Sequence, residues 1–180
     1  MKKRIMMIFL MNFIIMSGSV FAKTYNYPIE KPLFSIDFPD SWIVQFDTEE
    51  VSILAHSQDK EIEYNIWELP SKDVKANIKD ALNDAVKDVN EIIADYVTNI
   101  SFGDWKPEVI NGIDFIWAEG NGKYKDGGQT VYMEVDFFSP DDKTVFVLMY
   151  WGTKEGEKKY KLEIEKIDRS IKKKKSNTSM

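Results

Sequence analysis

The alternation of hydrophobic and polar positions predicts a series of β-strands on either side of one long helical segment. It is clearest from Glu61 to Glu68, where Ile62, Tyr64 and Ile66 share one side of the chain, as expected for a strand with one buried face. Further segments predict strands at 33–38, 42–46, 51–56, 100–105, 115–119, 130–138 and 144–151. Residues 145–151 are apolar at every position, which is typical of a strand buried on both faces at the centre of a sheet.

The period changes between Ser71 and Thr98, where apolar residues recur every three or four positions and neither Gly nor Pro occurs. This spacing predicts a helix of about 25 residues, with Ser71 as its N-cap. A second helical stripe runs through 158–173 and predicts a C-terminal helix. The predicted fold class is α/β (α+β): a mostly antiparallel sheet sandwiched between the long central helix and the C-terminal helix, in α/β/α layers.

Two segments predict chain reversals. Asn111-Gly112 is a residue pair that strongly favours a tight hairpin turn. Residues 120–128 are rich in Gly and predict a mobile loop between strands.

The first 22 residues have the features of a cleaved signal peptide. Basic residues at 2–4 precede an apolar run at 5–16, and small residues lead to a cleavage site after Ala22. The run is shorter than the roughly 20 residues of a membrane-spanning helix, so we expect no transmembrane segment after cleavage. We predict an exported protein, periplasmic or extracellular, with the following organisation: signal peptide 1–22, extended leader 23–32, single domain 33–171 and basic disordered tail 172–180.

The charge of the predicted mature chain is strongly negative, with 21 Lys and Arg against 30 Asp and Glu. Nucleic-acid binding needs a basic face with several phosphate contacts, so we expect no nucleic-acid partner. The exception is the basic tail, which we interpret as a solvated helix end, or alternatively as a weak contact with an anionic membrane. Its basic residues are Lys172, Lys173, Lys174 and Lys175.

The absence of Cys excludes a disulfide framework, a thiolate metal site and a thiol nucleophile. A single His, His56, excludes zinc sites built from several imidazoles. His56 lies near Ser57 and Asp59, but no Gly-x-Ser-x-Gly sequence accompanies them. We therefore predict no catalytic residue and no cofactor.

One motif resembles a known family. The segment Phe34-Ser35-Ile36-Asp37-Phe38-Pro39-Asp40-Ser41-Trp42 is similar to the opening Phe-x-Ile-x-Phe-Pro-x-x-Trp signature of the PsbP-like superfamily, which includes DcrB-like exported bacterial proteins. The order of a meander, a long helix, a second meander and a C-terminal helix fits that family over 33–171. The resemblance implies a binding or assembly protein without a shared catalytic site.

Acidic residues suggest one candidate metal site. Glu61 and Glu63 share a face of one predicted strand, and Glu134 and Asp136 share a face of another. If the two strands are neighbours, the four carboxylates can hold a hard cation through oxygen ligands. The alternative interpretation is an ordinary solvated face of the sheet.

A second candidate site is aromatic. Trp67 lies on the acidic side of its strand, and Tyr124 and Asp126 lie in the Gly-rich segment. An exposed ring beside a loop suits a groove for a peptide, an apolar helix or a glycan. Core packing of the aromatic residues is the alternative.

The sequence thus predicts an exported, non-catalytic binding protein of the bacterial envelope or extracellular space. It should recognise a protein or another envelope component through a sheet-plus-loop surface. Two alternatives stay open: a hydrolase that uses carboxylates, and a secreted effector or adhesin. A convergent acid pair with a raised pKa in a deep pocket favours the hydrolase, and a shallow aromatic patch favours binding.

Overall fold

The computed structural model describes residues 22–47, 52–69 and 78–174, and within them the chain forms two helices and eleven strands. In chain order these are β1 (Ala22–Tyr27), β2 (Phe34–Pro39), β3 (Ile43–Asp47), β4 (Ser52–His56), β5 (Ile62–Glu68), α1 (Ile78–Ile92), β6 (Val97–Phe102), β7 (Lys106–Ile110), β8 (Ile113–Tyr124), β9 (Thr130–Ser139), β10 (Phe146–Gly152), α2 (Lys154–Ser170) and β11 (Lys172–Lys173). The predicted signal segment up to residue 21, the predicted N-cap Ser71 and residues 175–180 lie outside the described residues. Neither α1 nor α2 is long and apolar enough to cross a membrane.

The larger sheet is built around β10. Its strand order is β3-β4-β5-β10-β9-β8-β6, with β7 paired to β8, and every pair is antiparallel. All seven residues of β10 are buried, so the prediction of a central strand covered on both faces is confirmed. The predicted α+β class with an antiparallel sheet is also confirmed.

A smaller sheet joins the two ends of the described chain, in the order β1-β2-β11. Part of the predicted extended leader is a paired strand, because Ala22–Tyr27 pairs with β2 along its whole length. The predicted disordered tail begins too early: Lys172 and Lys173 pair with the other edge of β2, and the Lys174 N–H donates to the Leu33 carbonyl at 2.8 Å. Composition misleads here because the lysine side chains stay exposed while their backbone is paired.

Successive residues of β10 belong in turn to two different apolar clusters. Phe146, Leu148 and Tyr150 belong to one, here called the Tyr150 cluster, with β2 and with Ile164 and Ile167 of α2. The other, here called the Trp151 cluster, takes the remaining β10 positions from Val147 to Trp151 and the buried residues of α1. Successive residues of a strand point to opposite faces, so the clusters lie on the two faces of the sheet. Each fully buried large side chain contributes about 1.5 to 3 kcal/mol.

The Phe-x-Ile-x-Phe-Pro-x-x-Trp segment fastens α2 to the sheet. Trp42 is 5% exposed and its indole N–H donates to Glu163 of α2 at 2.6 Å. The Asp37 backbone N–H donates to Ser170 Oγ at 2.8 Å, near the end of the same helix. The motif therefore has a structural role, because it positions one complete helix.

The two helices have ends that differ from the prediction. α1 ends at Ile92, earlier than predicted, because residues 93–96 form a turn and Val97 begins β6 by pairing with Tyr124. α2 begins at Lys154, earlier than predicted, with Thr153 as N-cap accepting from the Gly156 N–H at 2.9 Å.

The predicted Asn-Gly hairpin is confirmed between β7 and β8, with φ of 51° at Asn111 and 76° at Gly112. The side chain of Asn111 has a second role. Its amide donates to the carbonyls of Arg169 and Ile171, each at 2.8 Å. The hairpin thus holds the C-terminal end of α2.

The predicted mobile loop over 120–128 is largely wrong. β8 continues to Tyr124, paired with both β6 and β9, and only residues 125–127 form a turn. A Cβ at Gly120 would lie 2.7 Å from the Phe102 ring, and one at Gly122 would meet Val97. These glycines therefore allow β6 side chains to approach the strand.

We predict that Gly152→Ala destabilises the fold. A Cβ at Gly152 would meet the Glu61 carbonyl and lie 2.6 Å from Ile62 Cδ1. The Glu61 backbone would have to shift to make room for it. Urea unfolding should show a loss of about 1 to 3 kcal/mol. Gly127→Ala is the control, because nothing lies within 4 Å of its Cβ position, and equal stability of the two variants would contradict the prediction.

Candidate ligand-binding cleft

A cavity of about 780 Å³ lies between α2 and strands β7 to β10. This volume is in the range of small-molecule sites. Its wall is formed by one side of α2 and its floor by alternate residues of the strands. Its lining includes Glu108, Trp117, Glu119, Glu134, Asp136, Tyr150, Glu157 and Asp168.

The cleft forms where the apolar face of the sheet becomes acidic. On β9, Glu134 and Asp136 follow the same alternation as Phe138, which belongs to the Tyr150 cluster. On β8, Trp117 and Glu119 continue the side on which Phe115 joins that cluster. The alternation of side chains thus continues along both strands, but at these positions charged side chains take the place of apolar core residues.

The register of three strands brings these side chains together. Glu119 is directly opposite Glu134, and Glu134 is directly opposite Tyr150 of β10. Two residues further along the strands, on the same face, Trp117 is opposite Asp136. Like charges opposite each other in a sheet are destabilising, so the row of Glu119 and Glu134 has no structural benefit.

Asp136 is the most deeply placed carboxyl group of the cleft. It is 4% exposed, and its Oδ2 is buried with no hydrogen-bond partner in the described part of the chain. Burial, and then the charge of Glu134, raise its pKa well above the usual range. A charged Asp136 therefore lacks the hydrogen bonds that a buried carboxylate normally has.

The neighbouring carboxyl groups are perturbed in the same direction. Burial, with Glu119 as the next cause, raises the pKa of Glu134 to about 7. Burial and then Glu134 raise the pKa of Asp168 well above its usual value, although the Tyr64 hydroxyl donates to it at 3.1 Å. Burial and Glu119 also raise the pKa of Glu157. The empty cleft thus disfavours the ionised form of its own acids.

Aromatic faces complete the cleft. Tyr150 is 4% exposed and packs against Tyr64 with ring centroids 5.4 Å apart. Burial raises the pKa of Tyr150 above its usual value, so it is a neutral hydroxyl at physiological pH. The Lys106 ammonium lies 4.4 Å from the centroid of the Trp117 ring, close enough for a cation–π contact.

The predicted shared face for a metal is wrong. β10 lies between β5 and β9, so the two acidic strands are not neighbours. Glu63 is in one row with Trp151 and Met133, whereas Glu134 is in the next row with Tyr150, and adjacent rows face opposite sides. Glu61 lies before β5 begins. Among the described residues, no group of three or more His, Cys, Asp or Glu is placed to hold a metal ion.

Trp67 and Tyr124 are half-buried, and both pack against the Trp151 cluster. Trp67 is 6.2 Å from Tyr96, which is itself 5.7 Å from Trp151, measured between ring centroids. Burial, and then Glu63, raise the pKa of Tyr124 to about 12. Asp126 is exposed in the turn after β8. These residues lie on the opposite sheet face from the cleft, and their role in partner binding stays a prediction.

His56 takes part in a local turn. Its Nδ1 lies 2.8 Å from the Ser57 carbonyl, and the Ser57 hydroxyl donates to Asp59 at 2.8 Å. Asp59 also accepts from Lys159 and from the Tyr160 hydroxyl; the Lys159 bond is the main reason that its pKa is lowered. The hydroxyl is therefore oriented to Asp59 and away from the imidazole, and the turn is anchored to α2.

Sequence reasoning missed Trp117, Glu119, Tyr150 and Asp168. The available signal was the position of Asp168 beside Ile164, Ile167 and Ile171 in an apolar helical stripe. A carboxyl group placed there is turned to the interior. The others needed the strand register.

No model of a protein family matches this sequence, and neither does any curated protein sequence. Solved structures are similar in fold. The cyanobacterial PsbP (CyanoP) of Synechocystis is 12% identical, with a TM-score of 0.57 over 88% of this chain and 95% of that one. LpqN, involved in cell envelope biogenesis of Mycobacterium tuberculosis, is 13% identical, with a TM-score of 0.58 over 84% of this chain and 90% of that one.

A protein from Bacteroides thetaiotaomicron has a TM-score of 0.60 at 16% identity; 88% of this chain is covered, and it spans 50% of the length of that protein. Identities this low establish the fold alone. The resemblance that the Phe-x-Ile-x-Phe-Pro-x-x-Trp segment predicts is confirmed at that level: the chain has the PsbP-like fold.

Proposed function

We propose that the protein is an exported, non-catalytic binding protein of the bacterial envelope or its surroundings, and that the cleft between α2 and the sheet holds its ligand. The observation that carries this proposal is Asp136, a nearly inaccessible carboxyl group with an unpartnered oxygen that lines the cavity. A ligand that donates to this oxygen would supply the missing partner.

Without a ligand, the unpartnered Asp136 oxygen and the opposed carboxyl groups cost stability. A buried polar atom without a partner costs about 1 to 3 kcal/mol, and more when it is charged. The directly opposed pair of Glu119 and Glu134 adds repulsion. Such costs are typical of binding sites, where a ligand compensates them.

The comparisons and the sequence support the cellular setting. LpqN is described as involved in cell envelope biogenesis, and the first 22 residues of this chain have the features of a signal peptide. We also infer that the helices cover opposite faces of the sheet, since their buried residues belong to different clusters. In that arrangement α2 is one wall of the cleft and α1 is scaffold.

The surface around Trp67, Tyr124 and Asp126 is the second place for a partner. Its rings are half-buried against the Trp151 cluster, which leaves less free apolar area than the sequence suggests. We therefore assign recognition to the cleft.

A carboxylate-dependent hydrolase is the second candidate function. The supporting observation is Glu134, whose pKa of about 7 suits a general acid near neutral pH. It lies directly opposite Glu119, a second carboxyl group on the same face. Glycoside hydrolysis uses two carboxyl groups, one of them with a raised pKa.

Native mass spectrometry of the protein isolated from the envelope and from the culture supernatant tests the binding function. We expect a stoichiometric ligand on the wild type that is lost from Asp136→Asn and Glu134→Gln. Glu91→Gln, at an exposed position of α1, is the matched control and should keep the ligand. Loss of the ligand from a Trp67→Ala, Tyr124→Ala double variant alone would move recognition to the other face, and glycan turnover would favour the hydrolase.

The cleft also predicts that stability decreases as pH rises from about 5 to 8. The folded protein keeps the Glu134 proton up to pH about 7, whereas an unfolded Glu loses it near pH 4.3. Within this window the native state binds more protons, so the free energy of unfolding falls with rising pH, by on the order of 2 to 3 kcal/mol. Asp136 and Asp168 act in the same direction, whereas the stabilising effect of Asp59 is lost only in stronger acid.

Urea unfolding at pH 5, 6, 7 and 8 measures this effect. Glu134→Gln should flatten the decrease, and Glu91→Gln should leave it unchanged. Stability that rises with pH over this range in the wild type would show that the cleft acids are not perturbed as described.

A further inference from the structure

Acidic residues clearly outnumber basic residues in the lining of the cleft. Eight acidic and four basic residues line it: Glu108, Glu119, Glu134, Asp136, Glu155, Glu157, Glu165 and Asp168, with Lys154, Lys158, Lys161 and Arg169. The basic groups do not neutralise its interior. Arg169 is 3.5 Å from Glu108, Lys154 lies over the Tyr132 ring at 5.6 Å, and Lys158 and Lys161 are exposed. In the described part of the chain, neither Glu134 nor Asp136 forms an ion pair.

We propose that the cleft binds an organic cation, with an ammonium or guanidinium group paired to Asp136 and Glu134 and an apolar stem lying along Trp117 and Tyr150. This inference rests on the proposed function, because it names the ligand class of the same site. The shared chemistry is a positively charged N–H donor on an aliphatic stem. Its source is either a free amine or the side chain of a basic peptide.

The sign of the ligand charge follows from Asp136. Its buried Oδ2 accepts hydrogen bonds and has no partner, and Glu134 lies two residues away on the same face of β9. A cation supplies donors and opposite charge together, which gives the strongest hydrogen bonds to carboxylates. An anion would be repelled by the ionised forms of these acids, and a neutral apolar group would leave the oxygen unpartnered.

The size and lining of the cleft favour an organic cation over a metal ion. A volume of about 780 Å³ is far larger than one ion, and the described residues offer no metal-binding group of three His, Cys, Asp or Glu. Trp117 and Tyr150 provide aromatic faces in the same cavity. The Lys106 ammonium, 4.4 Å from the Trp117 ring centroid, shows that a primary ammonium fits against this ring.

Binding of a cation should release protons. In the empty cleft, burial and neighbouring acids raise the pKa values of Glu134 and Asp136, and a bound positive charge lowers them again. Affinity should therefore increase with pH, by at most tenfold per pH unit for each proton released. The charged and titratable groups that line this cavity or act on these two acids are Lys106 and Glu108 of β7, Glu119 of β8, Tyr150 of β10, and Lys154, Glu155, Glu157, Lys158, Lys161, Glu165, Asp168 and Arg169 of α2.

Isothermal titration of the purified protein with a matched series of probes tests the proposal. Pentylamine, pentanol and pentanoate have the same stem with a positive, neutral or negative head. Agmatine adds a guanidinium, and an acetylated, amidated peptide with one Arg represents the peptide source. We expect pentylamine and agmatine to bind at least tenfold more tightly than pentanol and pentanoate, and more tightly at pH 8 than at pH 6.

Variants connect the affinity to the cleft. Asp136→Asn should weaken amine binding at least tenfold, and Glu134→Gln, at a less buried position, should reduce both the affinity and its pH dependence. Glu91→Gln on α1 should match the wild type. Proton release should appear as a difference in binding heat between two buffers of different ionisation enthalpy. If Asp136→Asn does not fold, Glu134→Gln carries the same test.

The outcomes are distinct. Tight binding of the peptide with weak binding of both free amines would identify a protein partner, and the reverse result a small amine. Pentanol or pentanoate binding as tightly as pentylamine, or no amine binding at millimolar concentration, would overturn the cation proposal. The proposed function would survive that result if native mass spectrometry finds a neutral or anionic ligand that depends on Asp136, and would fail if the cleft holds no ligand in either experiment.

Discussion

The burial of β10 on both faces is the constraint on which the rest of the structure depends. Each of its seven residues is enclosed, so both faces of the sheet must be covered along the length of this strand. Alternate residues of the strand belong to the Tyr150 cluster, which includes Ile164 and Ile167 of α2, and to the Trp151 cluster, which includes the buried residues of α1. Tyr150 belongs to the Tyr150 cluster and also forms part of the floor of the cleft. The cleft is thus built directly on a strand whose residues are all buried.

The cleft is an interruption of this core. Along β8 and β9 the same alternation that buries Phe115 and Phe138 places Glu119, Glu134 and Asp136 under α2. Leu or Val at these positions would close the gap and remove the repulsion. Carboxyl groups at these positions cost stability when no ligand is bound, and this is the physical link between the pKa shifts and the proposed binding function.

Local patterns were sufficient for much of the fold and insufficient for the site. Continuous apolar sequence identified β10, and Asn111-Gly112 identified the β7–β8 turn, because each signal lies within a few residues. The placement of Glu134 opposite Glu119, and of β10 between the acidic strands, depends on strand order and register. These are set by packing between segments distant in the sequence. Lys172 and Lys173 show the same limit. Their composition predicts a disordered tail, but their backbone pairs with an edge of β2.

β1 and β11 pair with the two edges of β2, and this pairing also determines when the domain can finish folding during synthesis. Residues 172–174 are among the last of the described chain to leave the ribosome, yet they pair with residues 33–35, and the Asp37 to Ser170 hydrogen bond spans 133 positions. Contacts between such distant segments make folding slow. A growing chain that lacks α2 leaves the Tyr150 cluster open, so the domain stays unfinished until residues 172–174 have been made. A polypeptide that must pass through a translocation channel unfolded gains from this delay, because its own topology postpones folding.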